Sequence, residues 1–506
     1  MPGLVPGIHV LPRAEIKDVD GRDKPGHDEN ERAAKLVDRV ESAPVSVVPG
    51  EIFGHPRGLT FLFTTEMWER FSYYGMRSLL VLYMTKYLLL PEHSGDVRGL
   101  LTVKSALEGI FGPLDVQPLS SQIWGFYTAL VYFTPIFGGL LADRVLGQRR
   151  TVIIGAVLMA IGHFMMAVEQ LFLFALLALI LGNGAFKPNI STQVGGLYAP
   201  GDPRRDRAYS IFYVGINVGA FLAPLICGTL GEKVGWHYGF AAAGVGMCIG
   251  LAIYLYAQPM LPPDAPSQPS PASGGGQGGG RTAHVERKPL DRAEWRAIVA
   301  LLVLFVPATL FWATYDQMGN TTVLWADANT DRTLSLFGLD AQIPTTWFLA
   351  FNPFLIFAFT PFIVALWTRQ AARGTEPSTI TKMALGCFGV TVANLIMLLI
   401  ALHADGGKAS WVWLLGYYVT ITVGELYLSP VSLSLVTKVA PARILSMMMG
   451  VWLATSFTGG FLAGWLGSFW SRMEKPHFFL MIAAISALAG VIIFLCRWPL
   501  RGALRE

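Results

Sequence analysis

Twelve stretches of this chain are apolar over the roughly 20 residues that a helix needs to cross a bilayer. They fall at about residues 58–89, 120–142, 151–168, 170–190, 208–230, 236–257, 294–325, 345–368, 378–403, 410–438, 444–470 and 476–497. Few folds accommodate such a series. In lipid each backbone polar group must be satisfied within its own segment, so spans of this length read as helices. The predicted fold class is all-α and polytopic. Composition agrees: 53% of the 506 residues are hydrophobic and only 14% charged, against about 25% charged in soluble domains. The net charge of +4, without clustered Lys and Arg on a folded face, argues against nucleic acid as a partner. Cys227, Cys248, Cys387 and Cys496 all lie in apolar spans, without paired or metal-ligand spacing, and read as buried small hydrophobes. No metal constellation and no nucleophile–base pair stands out, so neither a metal site nor an enzyme is expected.

The apolar spans divide six and six. Residues 1–56 are polar and scattered with Pro, Gly, Asp and Arg, and read as a disordered tail. A first bundle is expected over residues 57–257, a linker over 258–293, a second bundle over 294–498 and a short tail over 499–506. The linker contains SGGGQGGG, which lacks a following Lys-Ser/Thr and so reads as a flexible connector rather than a phosphate loop. Loop charge sets orientation. Arg144, Arg149, Arg150, Arg204, Arg205, Arg207, Arg281, Arg287, Lys288, Arg292, Arg369, Arg373, Lys438, Arg443, Arg497, Arg501 and Arg505 collect on one side. Both termini are therefore expected in the cytoplasm, with the protein multi-pass in the plasma (inner) membrane.

The first span carries four charges, Glu66, Glu69, Arg70 and Arg77. A charge near the bilayer centre costs about 2.5 kcal/mol or more unless it is paired or faces water. At about 100° per residue, Arg77 returns to about 20° from Glu66, Arg70 to about 40° and Glu69 to about −60°. Tyr73 joins that face, with Tyr74 at its edge. Such a stripe fits a helix that lines a polar cavity within a bundle. Later spans hold further isolated polar groups. Lys187 precedes Pro188; it either pairs with the first-helix carboxylates or snorkels to the nearby membrane surface. Asn217 stands among small residues and could be inter-helical glue. Asp316 is either paired across the bundle or a protonatable carboxyl. Asn352 precedes Pro353, where a bend or break is expected. Glu425 lies in a long apolar run, and Trp452 sits in the eleventh span.

The second span ends GGLLADRVLGQRR, which resembles the loop signature of the major facilitator superfamily. The matching positions include Gly139, Asp143, Arg144 and Gly147. Gly138 and Gly139 would permit close helix packing, and Asp143 would pair with basic neighbours in a loop that rearranges as the bundles rock. The first span reads EMWERFSYYG and matches the ExxERFxYYG signature of the proton-dependent oligopeptide transporter family completely. GNGAFKPNIST, FYVGINVGAFLAP, GWHYGF and GELYLSP also resemble blocks of that family, in order, so the resemblance spans about residues 58 to 497. It implies a major facilitator fold of twelve transmembrane helices in two six-helix bundles.

The resemblance also implies roles. Glu66, Glu69, Arg70 and Lys187 would take part in proton coupling, with Asp316 in protonation and gating. Arg77 and Lys187 would hold a peptide carboxylate, and Glu425 the peptide amino group. Tyr73, Tyr74 and Tyr132 would line the pocket, Asn217 and Asn352 would contact the peptide backbone, and Trp312 and Trp452 would supply pocket aromatics. Asp316 stands where many members have Glu, and Ala220 replaces the serine of the INxGS pattern. The expected function is a symporter importing di- and tripeptides with protons by alternating access. The alternative is proton-coupled transport of another small solute, a peptide-like conjugate or nitrate. Retention of both Arg77/Lys187 and Glu425 favours a zwitterion over a simple anion. No cofactor beyond the coupling proton is expected, and the partners are peptides, protons and lipid around a monomer.

Overall fold

The computed structural model describes residues 50–199, 201–264, 291–336, 339–404, 407–441 and 444–500. The expected tail up to residue 49, the linker over 265–290 with Arg281, Arg287 and Lys288, and Arg443, Arg501 and Arg505 lie outside the described residues. The long helices are α1 Arg57–Tyr83, α2 Val116–Phe133, α3 Gln148–Met165, α4 Phe172–Gly196, α5 Arg204–Ala223 and α6 Trp236–Ala257. They continue with α7 Arg292–Tyr315, α8 Phe351–Ala372, α9 Thr379–His403, α10 Trp411–Val439, α11 Leu445–Gly467 and α12 Lys475–Leu500. Among the described residues, ten helical segments are long and apolar enough to cross a membrane. The other two are α1, where the charged stripe lowers the hydropathy, and α3, which opens on Gln148, Arg149 and Arg150. Both pack among the rest: α1 lies against α5 and α6, and α3 against α4 and α6.

Two apolar cores form. One gathers side chains from Leu59 to Leu261, joined from the second half by Ala463 with Leu324 packed against it; the other gathers side chains from Ile298 to Ile493. In the second half α9 packs on α10 and α12, and α7 on α11 and α12. The halves meet along α2 with α11 and along α5 with α8. At the first seam two glycines touch: a Cβ on Gly125 would lie 2.5 Å from the Gly464 Cα. Only a missing side chain lets the two backbones approach so closely.

Several local features depart from the sequence expectation. Residues 50–56 belong to the expected tail, yet Glu51–Ile52 and His55–Pro56 pair as a small hairpin before α1. Arg204 pins it, donating to Glu51 Oε1 at 2.8 Å and ion-pairing with Asp202. Hydrogen bonds from the Arg204 side chain and backbone N–H hold the Asp202 carboxyl below its usual range. The connection after α1 contains a helix, Leu100–Phe111, that lies outside the twelve expected spans. The seventh span breaks at Asp316: α7 ends, a 3-10 turn covers Asp316–Gly319, and helix resumes over Thr321–Asn329. Pro353 occupies the first turn of α8, where its missing N–H has no helical partner to lose, and just before it the span changes from the 3-10 turn Thr345–Ala350 to α-helix. Cys227 and Cys387 are buried, but Cys248 is exposed on α6 and Cys496 is half-buried, so the thiols are not uniformly core.

Candidate functional site

Two polar groups of side chains occupy the interior. The first joins α1 to α4. Glu69 grips the Arg70 guanidinium with both oxygens, Nη2 to Oε1 at 2.5 Å and Nε to Oε2. Asn183 adds a bond from α4, Nδ2 to Glu69 Oε1 at 3.2 Å. Glu66 is fully buried and its oxygens accept no hydrogen bond. Its nearest cations stand farther off, Arg70 Nε at 3.5 Å and Lys187 Nζ at 3.9 Å. The Arg70 guanidinium also lies 5.0 Å above the Tyr73 ring. Lys187 thus comes to the first-helix carboxylates, which is one of the two alternatives its sequence position left open.

The second group surrounds a central cavity between the halves. Tyr74, Arg77, Tyr132 and Asn217 line it from the first half, and Trp312, Asp316, Asn352 and Glu425 from the second. Arg77 Nη2 donates to Asp316 Oδ1 at 2.8 Å, so the buried acid of the seventh span is paired across the bundle. The break in that span at Asp316 turns its carboxylate toward α1. On the opposite wall Glu425 Oε2 accepts from Tyr315 Oη at 2.6 Å and from Asn352 Nδ2 at 2.9 Å. Asn352 also donates to Thr422 Oγ1 at 3.0 Å, which fixes its amide orientation. Asn217 donates to the Tyr213 carbonyl one turn back.

Other sequence candidates lie elsewhere. Tyr73 is buried against Tyr74 and Tyr127 and is not among the cavity-lining residues. Trp452 packs inside the second core, its Nε1 donating to Ser432 Oγ at 3.3 Å, and does not line the cavity. Lys187 belongs to the carboxylate cluster rather than to the cavity wall beside Arg77. In the short helix Pro135–Leu141 that follows α2, Gly138 rather than Gly139 is the packing glycine: a Cβ there would lie 2.0 Å from the Gly184 carbonyl, whereas Gly139 has nothing within 4 Å. Asp143 and Arg144 are exposed, and among the described residues Asp143 forms no ion pair. The loop is tied instead by Arg149, whose backbone N–H donates to Asp264 Oδ1 at 3.0 Å and whose side chain donates to the Leu261 and Pro262 carbonyls. Gly147 adopts φ 78°, a left-handed turn that favours glycine.

Tyr315, Tyr213 and Asn183 enter the site without having been singled out from sequence. Asn183 and Tyr213 had a usable signal, since each stands four residues before a chosen residue, Lys187 and Asn217, and so on the same helix face. Tyr315 carried no such mark beyond lying next to Asp316.

The central cavity continues into a second, more open space of about 510 Å³ that shares Tyr213, Asn217, Ile356 and Glu425. That space runs to Lys382 and Lys438, at the end of the molecule where the basic loops collect. At the opposite end the halves are bonded together. Gln117 donates to the Gly467 carbonyl at 3.0 Å and Ser121 to Asn320 Oδ1 at 2.9 Å. The site is open toward one end and closed toward the other.

The sequence profile of the POT family matches residues 149–274 and 277–484. A di-/tripeptide transporter of Lactococcus lactis subsp. cremoris is 34% identical, over 88% of this chain and 96% of the relative. The peptide transporter YePEPT of Yersinia enterocolitica is 32% identical, over 89% and 95%. A mutant form of peptide transporter POT, solved in complex with alafosfalin, is 32% identical over 91% of this chain and 98% of that one, with a TM-score of 0.77. A POT family transporter in complex with 5-aminolevulinic acid is 27% identical over 88% and 97%, with a TM-score of 0.75.

Proposed function

The chain belongs to the POT family of membrane transporters, and from that premise we propose that it imports di- and tripeptides together with protons by alternating access to its central cavity. One observation carries the reading: the cavity presents a guanidinium from the first half, Arg77, and a carboxylate from the second, Glu425, with amides between them. A peptide is a zwitterion with a hydrogen-bonding backbone. Its amino group suits Glu425, its carboxylate suits Arg77, and Asn217 and Asn352 suit the amide groups that all peptides share. A peptide bound at both ends draws the halves together. The names of the relatives support the same substrate class.

Proton coupling follows from the two polar groups. The peptide carboxylate competes with Asp316 for Arg77, and the freed Asp316 becomes able to take a proton. In the α1–α4 cluster Glu66 is the acid best suited to protonation, because neutralising it breaks no hydrogen bond. Protonation removes one of the charges beside Lys187 and loosens that ammonium toward substrate. The excess of basic residues supports cytoplasmic placement of the open end and of both termini, in the plasma membrane. The arrangement described is then the inward-facing state of a protein that works as a monomer.

The test is uptake of a labelled dipeptide into proteoliposomes with and without an inward proton gradient. Accumulation above the external concentration only with the gradient is expected. If neither di- nor tripeptides enter under either condition, the reading fails.

A further inference from the structure

At the closed end, opposite the basic loops, one carboxylate of the first half is surrounded by donors of the second. Glu232 lies in the short helix Thr229–Lys233 that completes the fifth span. Its Oε2 accepts the Thr345 backbone N–H at 2.8 Å, and its Oε1 accepts the Thr346 N–H at 2.7 Å and the Thr346 hydroxyl at 2.8 Å. Thr345 and Thr346 open the 3-10 turn that leads into α8, so Glu232 satisfies N–H groups at its start. Both threonines are fully buried. Thr346 also presses on Gly228, where a Cβ would lie 2.0 Å from its Oγ1.

The clamp extends into a charged chain that crosses between the halves repeatedly. Arg332 Nη1 stands 3.5 Å from Glu232 Oε2 and donates to Thr345 Oγ1 at 2.7 Å. Arg332 Nη2 stands 3.6 Å from Asp327 Oδ1, and Asp327 Oδ2 is 2.5 Å from Lys86 Nζ at the end of the first span. Trp347 adds a bond to Thr229 Oγ1 at 2.7 Å. Every one of these bonds between halves must break before the cavity can open at this end.

We propose that Glu232 is the positioning residue of a lock that holds this end of the transporter shut, and that its release from Thr345 and Thr346 is a required step of each cycle. The inference rests on alternating access and not on peptide as the substrate. Charged acceptors make stronger bonds than neutral ones, and these can be exchanged for water once the end opens. The lock is therefore strong when dry and reversible when wet.

The test is pulsed electron-spin distance measurement on the full chain in lipid nanodiscs, with the four cysteines replaced by alanine. One nitroxide pair sits at the exposed positions Tyr238 and Val412, on opposite halves at the closed end. A second sits at Arg150 and Arg369, on opposite halves at the basic end. Glu232→Gln should raise the ratio of long to short Tyr238–Val412 distances at least tenfold and shorten the Arg150–Arg369 distance in the same molecules. A merely loosened fold would not couple the two ends. Thr346→Val, which removes only the hydroxyl donor, should give a smaller shift in the same direction, and it decides the question should Glu232→Gln fail to fold. Distance distributions that superimpose on the parent's at both ends overturn the proposal.

Discussion

Glu66 and Glu69 stand three positions apart on α1, and their surroundings set them to different tasks. Glu69 is tied to Arg70 and Asn183, so removing it leaves a buried guanidinium with its main partner gone. Breaking one side of a buried pair typically costs about 3–5 kcal/mol. Glu69→Ala is therefore expected to lose folded protein, read as a fall in monodisperse yield and in thermal midpoint in detergent. Glu66→Gln keeps the shape and breaks no hydrogen bond. It is expected to keep peptide exchange across the membrane at equal concentrations while weakening accumulation driven by the proton gradient; accumulation at the parent's level would sink the assignment. On the cavity wall, Glu425→Gln exchanges a charged acceptor for a neutral one. With charged hydrogen bonds worth about 1.5–3 kcal/mol, dipeptide affinity should fall about 10–150-fold by calorimetry, and a peptide with a blocked amino terminus should lose far less. The residue types at these positions were legible in the sequence, because charge in an apolar span is rare and costly. Their partners were not. Nothing in a linear sequence says that Asp316 faces Arg77 or that Tyr315 reaches Glu425, since those contacts depend on how α1, α7 and α10 are rotated against one another.

Among elements, the α2–α11 seam shows how little room the halves leave. A Cβ on Gly464 would lie 2.7 Å from the Gly125 Cα and from the Ser121 carbonyl, both backbone atoms that cannot swing aside. Gly464→Val is expected to cost about 1–3 kcal/mol through overpacking, lowering the thermal midpoint and slowing transport, because this seam is where the halves slide. Gly139→Ala is the contrasting case. With nothing within 4 Å, it should hold or raise the midpoint, since Ala in a helix is favoured over Gly by about 1 kcal/mol. The sequence pointed at GG in GGLLADRVLGQRR without telling the packed glycine from the open one. Helix rotation decides that, and one position turns a side chain by about 100°. The helices themselves were legible, because apolar length is a direct requirement of the bilayer. The helix Leu100–Phe111 was not, because at twelve residues it falls short of a span. The break at Asp316 was likewise hidden, because the mostly polar run from Asp316 to Asn320 lies inside a stretch long enough to read as one span.

On the scale of the whole molecule, two cores joined by narrow seams can move as two bodies, and the polar bonds between them mark which end is shut. Arg77–Asp316 sits near the centre, the Gln117 and Ser121 bonds and the Glu232 clamp sit at one end, and the large cavity opens toward the other. The Pro/Ser/Gly linker suggested a six-and-six division, but the conformation was not legible, since both states of a rocking bundle share one sequence. Coupling then has a thermodynamic ceiling that can be measured. With the membrane potential clamped to zero, each proton entering down one pH unit supplies about 1.4 kcal/mol, and each 1.4 kcal/mol is a tenfold concentration ratio. A neutral dipeptide carried with one proton should therefore accumulate to at most about tenfold in proteoliposomes, and with two protons to about a hundredfold. The two acids without a fixed hydrogen-bonded role through the cycle, Glu66 and the Asp316 that exchanges Arg77 with substrate, set two as the upper limit. Glu66→Gln should reduce the plateau by at least tenfold. A plateau that ignores the imposed pH difference would remove proton coupling from the mechanism while leaving the peptide site intact.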